Sequence, residues 1–416
     1  MRTFTFTFGW LLAGTFFVSE SLADWPQFRG PSGNGYLGEL NHPTQWSTKE
    51  NLAWSQAIPG GGWASPIIVG KRIFITTAVD SKNTKPLGHA GGVRNMRGKK
   101  PTEPFDFKLI CLNLEDGSTE WEKNIVQEQP KYAIHPSNTY STESPVTDGK
   151  HVFCYFATIG KIAAVSLKGK LAWTVNIGAF PSGNGFGTGS SLALLEDTLF
   201  IQCDNDKDTF VVALDTATGK EKWKRKRSSR TSWSSPYIWK HEKRTDLVIC
   251  GSGNVTGYDP ATGKTNWQLT NTSSAFTASP ASDGKYIFLG NSGPFRQGPL
   301  IAIGPEISGE PRLDTSELPK GVIWAKLRGG PGMSSPVASG DYIYVCSRGF
   351  LSCYNTKTGQ EAYKSRLPSS KSIAASMWAD DKHVFLMDES GKAYVVKAGP
   401  ESVSYTHLTL PTNREV

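Results

Sequence analysis

ALDTATGKEKW (213–223) is the stretch that decides the fold, because the same unit returns along the chain. It aligns without gaps with GYDPATGKTNW (257–267), CYNTKTGQEAY (353–363) and CLNLEDGSTEW (111–121). In each copy the second residue is apolar, the third is Asp or Asn, the seventh is Gly and the last is aromatic. AVSLKGKLAW (164–173) is the same unit, one residue shorter. Self-similarity of this kind indicates a repeat architecture.

A second anchor lies upstream of each unit and sets the period. It is Ser-Pro or a close relative, and its seven copies are ASP (64–66), ESP (143–145), GSS (189–191), SSP (234–236), ASP (278–280), SSP (334–336) and ASM (375–377). The last residues of successive anchors are 79, 46, 45, 44, 56 and 41 residues apart. A period of about 40–45 residues with two longer exceptions is typical of a propeller.

Each unit divides into four short segments rich in β-branched and aromatic residues, such as HVFCYF and YIYVC, separated by Asp-Gly and Thr-Gly-Lys turns. Four antiparallel strands in each unit form the blade of a β-propeller. No helical pattern appears, and the pattern of about 100 residues that a β-sandwich array needs is missing. The fold class is therefore all-β, a propeller with seven repeats visible and eight expected in the intact protein.

An aromatic residue recurs near the end of each fourth strand, where a flat side chain buries a large area against the neighbouring blade. These blade-docking residues are Trp54, Trp121, Trp173, Trp223, Trp267, Trp324 and Tyr363. A ligand cage is the alternative, and strict repetition favours packing. The six cysteines are scattered without a C-x-x-C motif and are expected to be small buried residues, although a disulfide stays possible in an oxidising compartment.

The N-terminus predicts export. An apolar run from Phe8 to Val18 is too short to span a bilayer and ends in Ser21-Leu22-Ala23, so residues 1–23 are expected to be a signal peptide, with an uncleaved anchor as the alternative. We therefore expect a periplasmic or secreted protein without a later membrane span. The formal charge is +8. The basic cluster 224–227 with Arg230 is interpreted as a solvated strand edge, because export argues against a nucleic-acid partner.

Strand order places the loops before the first strand and between the second and third strands on one face of the ring. Five candidate ligand-binding residues fall there: His135, Asn138, Arg296, Arg328 and Arg348. The basic, Gly-rich insertion 80–107 is expected to be a flap over this face that favours an anionic partner. The excursion 304–321 falls on the opposite face. The alternatives are that the glycines only relieve crowding at the hub and that the insertion is a tether without function.

The chain resembles the PQQ-repeat (quinoprotein-like, tryptophan-docking) propellers over residues 24–400. WPQFRGPSGNG, HPSNTYSTESPVTDG, GFGTGSS and RGGPGMSSP are similar to an exported subgroup common in planctomycete-like bacteria. The resemblance implies a lead-in segment at 24–50 and a propeller at 51–400. It also implies that 51–58, with Trp54, supplies a fourth strand to the last blade. Residues 401–416 carry no blade signature, which suggests a truncated last blade and a non-native tail.

The resemblance covers both enzymes and binding scaffolds. We expect a non-catalytic scaffold that binds a protein or an anionic cell-envelope ligand through its loops, by analogy with the BamB subunit of the β-barrel assembly machinery. The alternative is a divergent PQQ-dependent dehydrogenase or another oxidoreductase. Such dehydrogenases use an adjacent Cys-Cys pair and a carboxylate set on Ca²⁺, and this chain has no such pair. No catalytic, cofactor or metal residue is therefore assigned, DNDKD (204–208) is interpreted as a turn, and a monomer is expected.

Overall fold

The computed structural model describes residues 24–39, 42–88, 98–272, 275–293, 297–314, 316–370, 372–401 and 404–409. The predicted signal peptide lies outside these residues. They form seven four-stranded antiparallel sheets, the blades of a propeller, and the only helical turn described is a 3-10 turn at Gly183–Gly185. None of them belongs to a helix with the length and apolarity to cross a membrane.

Each blade contains four consecutive strands joined by hairpins. The strands are β1 (Ile67–Val69), β2 (Arg72–Val79), β3 (Phe105–Asn113) and β4 (Thr119–Glu128) in blade 1; β5 (Val146–Thr147), β6 (His151–Phe156), β7 (Lys161–Ser166) and β8 (Leu171–Asn176) in blade 2; β9 (Ala193–Leu195), β10 (Thr198–Cys203), β11 (Phe210–Asp215) and β12 (Glu221–Lys226) in blade 3; β13 (Tyr237–His241), β14 (Arg244–Gly251), β15 (Asn254–Tyr258) and β16 (Thr265–Thr270) in blade 4; β17 (Ala281–Ser282), β18 (Ile287–Gly290), β19 (Leu300–Ile303) and β20 (Val322–Lys326) in blade 5; β21 (Val337–Ser339), β22 (Tyr342–Ser347), β23 (Phe350–Asn355) and β24 (Glu361–Arg366) in blade 6; β25 (Trp378–Ala379), β26 (His383–Met387), β27 (Lys392–Lys397) and β28 (Ser404–Thr409) in blade 7.

This strand order gives the ring two different faces. In each blade, the turn between strands one and two and the turn between strands three and four lie on one face. We call it the turn face. The loops between strands two and three, and those that lead into each first strand, lie on the opposite face, which we call the loop face. The candidate ligand-binding residues that the structure describes, His135, Asn138, Arg328 and Arg348, belong to loops of the loop face.

The Thr-Gly-Lys turn folds for reasons that can be traced to its side chains. In blade 4 the Asp259 carboxylate accepts hydrogen bonds from the Thr262 backbone N–H at 2.8 Å and from the Thr262 hydroxyl at 2.9 Å. Gly263 closes the turn with a φ of +68°, in the left-handed region that glycine occupies at the lowest cost. Blades 3 and 6 repeat the arrangement, with Asp215 and Asn355 as the acceptors.

This glycine is also the surface on which the preceding blade docks. The Trp223 indole of blade 3 lies against Gly263 of blade 4 and donates its N–H to the carbonyl of Pro260 at 2.9 Å. Four other indoles repeat the contact with the next turn along the chain: Trp54, Trp121, Trp173 and Trp324. Trp267 and Tyr363 differ. The Trp267 indole donates to the Asp246 carboxylate, because the excursion 304–321 replaces the Thr-Gly-Lys turn in blade 5.

The Ser-Pro anchors form a chain of hydrogen bonds around the hub. The serine hydroxyl of each anchor accepts a bond from the backbone N–H of the anchor serine in the preceding blade, at 2.9–3.3 Å. The chain runs through Ser65, Ser144, Ser191, Ser235, Ser279, Ser335 and Ser376. In the described part of the molecule, no bond joins Ser376 back to Ser65.

The hydrophobic core consists of layers between neighbouring blades. Clusters of buried residues join each blade to the next from blade 1 to blade 7. The far side of blade 1 is covered instead by Trp54 and Ile58. The described residues thus leave a seam between blades 7 and 1, and an eighth blade remains a prediction.

One expectation about the last blade differs from the structure. Residues 51–58 belong to no sheet, so they do not pair with blade 7 as its fourth strand. Trp54 nevertheless occupies the docking site on blade 1. The fourth strand of blade 7 is Ser404–Thr409, which pairs with β27, and truncation of the native blade stays a prediction. A ladder needs only backbone groups, so a segment without the blade signature can supply it. Whether 401–416 is native stays an open prediction.

The lead-in crosses the hub on the turn face and bridges the seam. Trp25 pairs with Ile68 of blade 1, and Tyr36 pairs with Ala379 of blade 7. Between these two points Arg29 is 3% exposed and donates hydrogen bonds to the carbonyls of Pro280 at 2.6 Å and of Pro336. The segment DWPQFRGPSGNG (24–35) is therefore a plug in the turn-face end of the channel.

Candidate functional site

The loop face carries the insertion between β2 and β3 as two described legs, 80–88 and 98–104, whereas Arg94, Arg97, Gly91 and Gly92 lie outside the described residues. The first leg is held by Lys85, whose ammonium group donates at 2.8 Å to the carbonyls of Ile58 and Gly60. On the second leg, Gly98 packs so closely on Ile134 that a side chain would not fit. Both legs are anchored, and the exposed cations near them are Lys82, Lys99 and Lys100.

Aromatic rings line the loop face beside these legs. The His135 ring lies 4.9 Å from the Phe186 ring, and Phe186 meets Trp233 edge-to-face at 6.1 Å. Trp63 is 47% exposed although its indole N–H is fixed by the carbonyl of Ser137 at 2.9 Å. An exposed indole held in one orientation costs little further entropy to bind. Sequence analysis missed these three aromatic residues because they do not recur in every blade, although Trp63 and Trp233 both lie two residues before the anchor serine.

His135 and Asn138, two of the candidate residues, lie together near Phe186 and serve mainly to hold the loops. The His135 Nδ1 contacts the Ser137 hydroxyl at 2.7 Å and the ring is buried. The Asn138 amide donates to the carbonyls of Phe186 and Thr188, at 2.8 and 3.0 Å, and thereby joins the loop leading into blade 2 to the loop leading into blade 3. His135 also lines a cleft of about 410 Å³ together with Gly98, Ala133, Asn184 and Gly185.

The arginine candidates lie elsewhere on this face. Arg328 and Arg348 are both exposed and belong to blade 6, away from His135 and Asn138. Arg348 has a φ of +54° and one of its Nη atoms lies 3.4 Å from the carbonyl of Gly293. Arg296 lies outside the described residues. The structure therefore separates the candidate residues into two groups on opposite parts of the ring.

The basic cluster and DNDKD meet inside the protein. Lys224, Arg225 and Lys226 are exposed on β12, whereas the Arg227 side chain is 2% exposed and pairs with Asp204 at 2.9 Å. Asn205 accepts hydrogen bonds from the backbone N–H groups of Lys207 and Asp208, both at 2.8 Å. The first acid of the segment thus belongs to a buried ion pair, and the following residues form a turn.

Glu143 is a second functional candidate that sequence analysis missed. It is wholly buried, and one carboxylate oxygen, Oε2, lies 3.4 Å from the Ala157 N–H, while Oε1 has no hydrogen-bond partner among the described residues. Burial raises the pKa of Glu143 to about 7, against the opposing effect of the Thr188 hydroxyl and nearby backbone N–H groups. The sequence does mark this residue as unusual. Glu precedes Ser-Pro only in ESP (143–145), whereas the other Ser-Pro anchors have Ala or Ser at that position.

We expect Glu143 to make the stability of the protein depend on pH. Its pKa of about 7 lies above the ordinary 4.5, so its stabilising contribution is complete below about pH 4.5 and is lost as the pH rises through 7. The loss should approach about 3 kcal/mol in the free energy of unfolding. Urea denaturation from pH 4.5 to 8 should show this slope in the native protein and not in Glu143→Gln. Equal slopes in the two proteins, or a slope removed equally by the exposed control Glu242→Gln, would contradict the assignment.

The resemblance to quinoproteins implies a PQQ and Ca²⁺ site, and the described residues of the cleft do not fit this group. The quinone carries three carboxylates, which require cationic partners. The described lining of the 410 Å³ cleft offers His135 and otherwise Gly, Ala and Asn. The six cysteines are all free and lie on strands of five different blades. The expectation that no cofactor is bound stays a prediction.

Solved structures share this fold. A europium-containing methanol dehydrogenase is 13% identical, with a TM-score of 0.53 over 90% of this chain and 89% of that chain. A quinohemoprotein alcohol dehydrogenase from Comamonas testosteroni is 14% identical, with a TM-score of 0.52 over 90% and 76%. BamB from Moraxella catarrhalis is 18% identical, with a TM-score of 0.47 over 70% and 81%. At such identities the likeness shows the fold alone.

No curated protein matches the sequence. A family model does match, and its description is outer membrane protein assembly factor BamB. It aligns with residues 104–303 and 251–400, which together exceed half of the chain. The matched residues include the docked indoles from Trp121 to Trp324 and their glycine turns. The chain belongs to the family of the outer membrane protein assembly factor BamB.

Proposed function

We propose that the protein is an exported, non-catalytic scaffold that binds an anionic partner, a protein or a cell-envelope polymer, through its loop face. The observation that carries the proposal is the difference between the two ends of the channel. Arg29 and the lead-in fill the turn-face end, whereas the loop face carries the 410 Å³ cleft that His135 lines. A partner that uses the hub therefore has to approach from the loop face.

The charges and rings on this face support an anionic partner. Lys99 and Lys100 on the second leg, and Arg328 and Arg348 on blade 6, are exposed. Cations on one face raise the rate at which an anionic partner arrives, and the effect falls as salt is added. The fixed indole of Trp63 gives the same face a rigid apolar contact, of the kind that carries much of the energy of protein interfaces.

The proposal predicts a charge effect confined to the loop face. Replacing Lys82, Lys99 and Lys100 together with Gln should weaken binding of heparin and of poly-glutamate about tenfold at low salt and flatten its salt dependence. Isothermal titration calorimetry at two salt concentrations measures both changes. The matched control replaces Lys168, Lys220 and Lys264, which are exposed on the turn face, and should leave binding unchanged.

Two results would reject the proposal. One is equal weakening by the control substitutions, which would mean that the anion responds to overall charge and not to the loop face. The other is a stoichiometric quinone absorbance after incubation with PQQ and Ca²⁺, together with dye reduction by an alcohol, which would make the protein a dehydrogenase. Both experiments use the full chain.

A further inference from the structure

Most of the large apolar side chains that the described residues expose lie on the loop face. They are Trp63 before blade 1, Leu87 on the first leg of the insertion, Leu327 before blade 6 and Met387 at the end of β26. Trp63 is 47% exposed and Leu327 is 65% exposed. Of the two others, Leu318 belongs to the turn face and Leu52 to the lead-in. A concentration of exposed apolar side chains on one face of a folded protein marks a surface that binds a partner.

Trp63 and Leu87 lie together at the seam between blades 1 and 7, and we call these two residues the seam patch. The Leu87 backbone N–H and the Trp63 indole N–H donate to carbonyls of the same loop, 136–137, at 3.4 and 2.9 Å. A Cβ on Gly88 would lie 4.0 Å from the Trp63 ring and 3.2 Å from a carboxylate oxygen of Glu389, which belongs to blade 7. The two apolar side chains are therefore neighbours, and blade 7 borders them across the seam.

Positive charge dominates the loops of this face. Exposed lysine or arginine residues occur in its loops on blades 1, 2, 3, 4 and 6. Within the described part of these loops, the exposed acids are Glu103 and Asp206. The turn face differs, because its turns carry both signs side by side, as at Asp148 and Lys150. An anionic surface is therefore attracted to the loop face more than to the turn face.

Cations flank both the seam patch and Leu327. The second leg of the insertion carries Lys99 and Lys100 and packs on Ile134, two residues before the loop that the seam patch contacts. Leu327 is followed directly by the exposed Arg328. Apolar side chains with cations beside them suit the surface of an anionic bilayer, because the apolar group enters the interface while the cation stays at the headgroups. Tryptophan is enriched at such interfaces.

The distribution of these groups favours a flat partner. The seam patch and Leu327 belong to loops of different blades, with blade 7 between them, so a short peptide in one groove reaches only one of them. A soluble polyanion offers no apolar surface to either, whereas a bilayer contacts the tips of several loops at once. We infer that the loop face docks on the surface of an anionic phospholipid bilayer, with Trp63 and Leu327 entering the headgroup region. The inference goes beyond the proposed function, because a bilayer is neither a protein nor a soluble polymer, and it uses the same basic face.

Flotation of the full chain with lipid vesicles tests the inference. Vesicles of equal parts phosphatidylglycerol and phosphatidylcholine should bind the protein, and vesicles of phosphatidylcholine alone should bind it at least about tenfold more weakly. Trp63→Ala and Leu327→Ser should each weaken binding to the anionic vesicles about tenfold, because each removes apolar area from the interface. Leu318→Ser, which removes an exposed leucine from the turn face, is the matched control and should bind as the native protein does.

Two further measurements keep the test decisive. Leu327→Ser should leave the melting temperature unchanged, since Leu327 is largely exposed, so it decides the outcome even if Trp63→Ala lowers stability. Brominated phosphatidylcholine in the anionic vesicles should quench the tryptophan fluorescence of the bound protein. Trp63→Phe keeps the apolar contact and should still bind, but most of the quenching should disappear, because Trp63 is the one exposed tryptophan among the described residues.

The inference fails if the anionic vesicles do not bind, if neutral vesicles bind equally well, if Leu318→Ser weakens binding as much as Leu327→Ser, or if Trp63→Phe keeps the quenching. In the first case the seam patch would be left to a protein partner. Failure of the proposed function is distinguishable, because heparin and poly-glutamate bind without lipid. If they bind in a manner that depends on Lys82, Lys99 and Lys100 while the vesicles do not bind, only the bilayer is rejected.

Discussion

Gly263→Ala is expected to lower the free energy of unfolding by about 4 kcal/mol. Two costs combine at this position. The backbone has a φ of +68°, where an alanine costs about 1–2 kcal/mol more than glycine. The new Cβ would also lie 2.6 Å from the Trp223 ring, inside its contact distance, and overpacking of this kind costs about 1–3 kcal/mol. Urea denaturation monitored by tryptophan fluorescence measures the change.

The chain offers a control that separates these two costs. Gly284 has a φ of +90° and nothing within 4 Å of the Cβ it would gain, so Gly284→Ala should show only the backbone cost of about 1–2 kcal/mol. Trp223→Ala should by itself cost about 4 kcal/mol, because it empties a buried docking site. The double variant that combines Gly263→Ala with Trp223→Ala has no clash. Its loss of unfolding free energy should therefore be smaller than the sum of the losses in the two single variants. Full additivity would show that the indole does not press on Gly263.

The repeat could be predicted from sequence because each conserved feature of the unit performs a local task. Asp259 and Thr262 build the turn, Gly263 supplies its φ, and the aromatic residue of the preceding blade docks on it. These tasks depend on a few residues at fixed spacing, so they recur with the period. The serine of the anchor was recognised as a marker, but its hydrogen bond to the next blade joins residues 41 to 79 positions apart and is visible only in the structure.

The candidate site was predicted less well, since its elements occur once each. Strand order places the loops of His135 and Asn138 on one face, but it does not say which side chains make contacts inside the protein. Asn138 proved to hold two loops together, and Arg227 proved to be buried against Asp204. Glu143 and the exposed Trp63 belong to positions that hold other residue types in most blades. The role of a single polar residue at a buried position can be identified only when its neighbours in the structure are known.

Arg29→Ala is expected to loosen the hub and to lower the free energy of unfolding by about 4 kcal/mol. The guanidinium donates to carbonyls from blade 5, blade 6 and the lead-in itself, those of Pro280, Pro336 and Asn34. Its burial is complete enough to lower the pKa of Arg29 to about 10. Removing the side chain leaves three carbonyls in a site that is closed to water, and each loses a bond to a charged donor. Urea denaturation gives the loss, and hydrogen exchange locates it.

The matched control is Arg225→Ala. Arg225 also donates to backbone carbonyls on the turn face, those of Thr262 and Gly263, but it is exposed, so water can replace it and the cost should stay below about 0.5 kcal/mol. Arg29→Lys should recover only part of the loss, because one ammonium group cannot reach carbonyls on three sides as the planar guanidinium does. In Arg29→Ala, backbone amides of the lead-in, such as those of Gly35 and Leu37, should exchange faster than the amides of β14 and β15. If Arg29→Ala costs no more than Arg225→Ala and the lead-in stays protected from exchange, Arg29 does not hold the plug in the turn-face end of the channel, and the backbone bonds of the lead-in hold it instead.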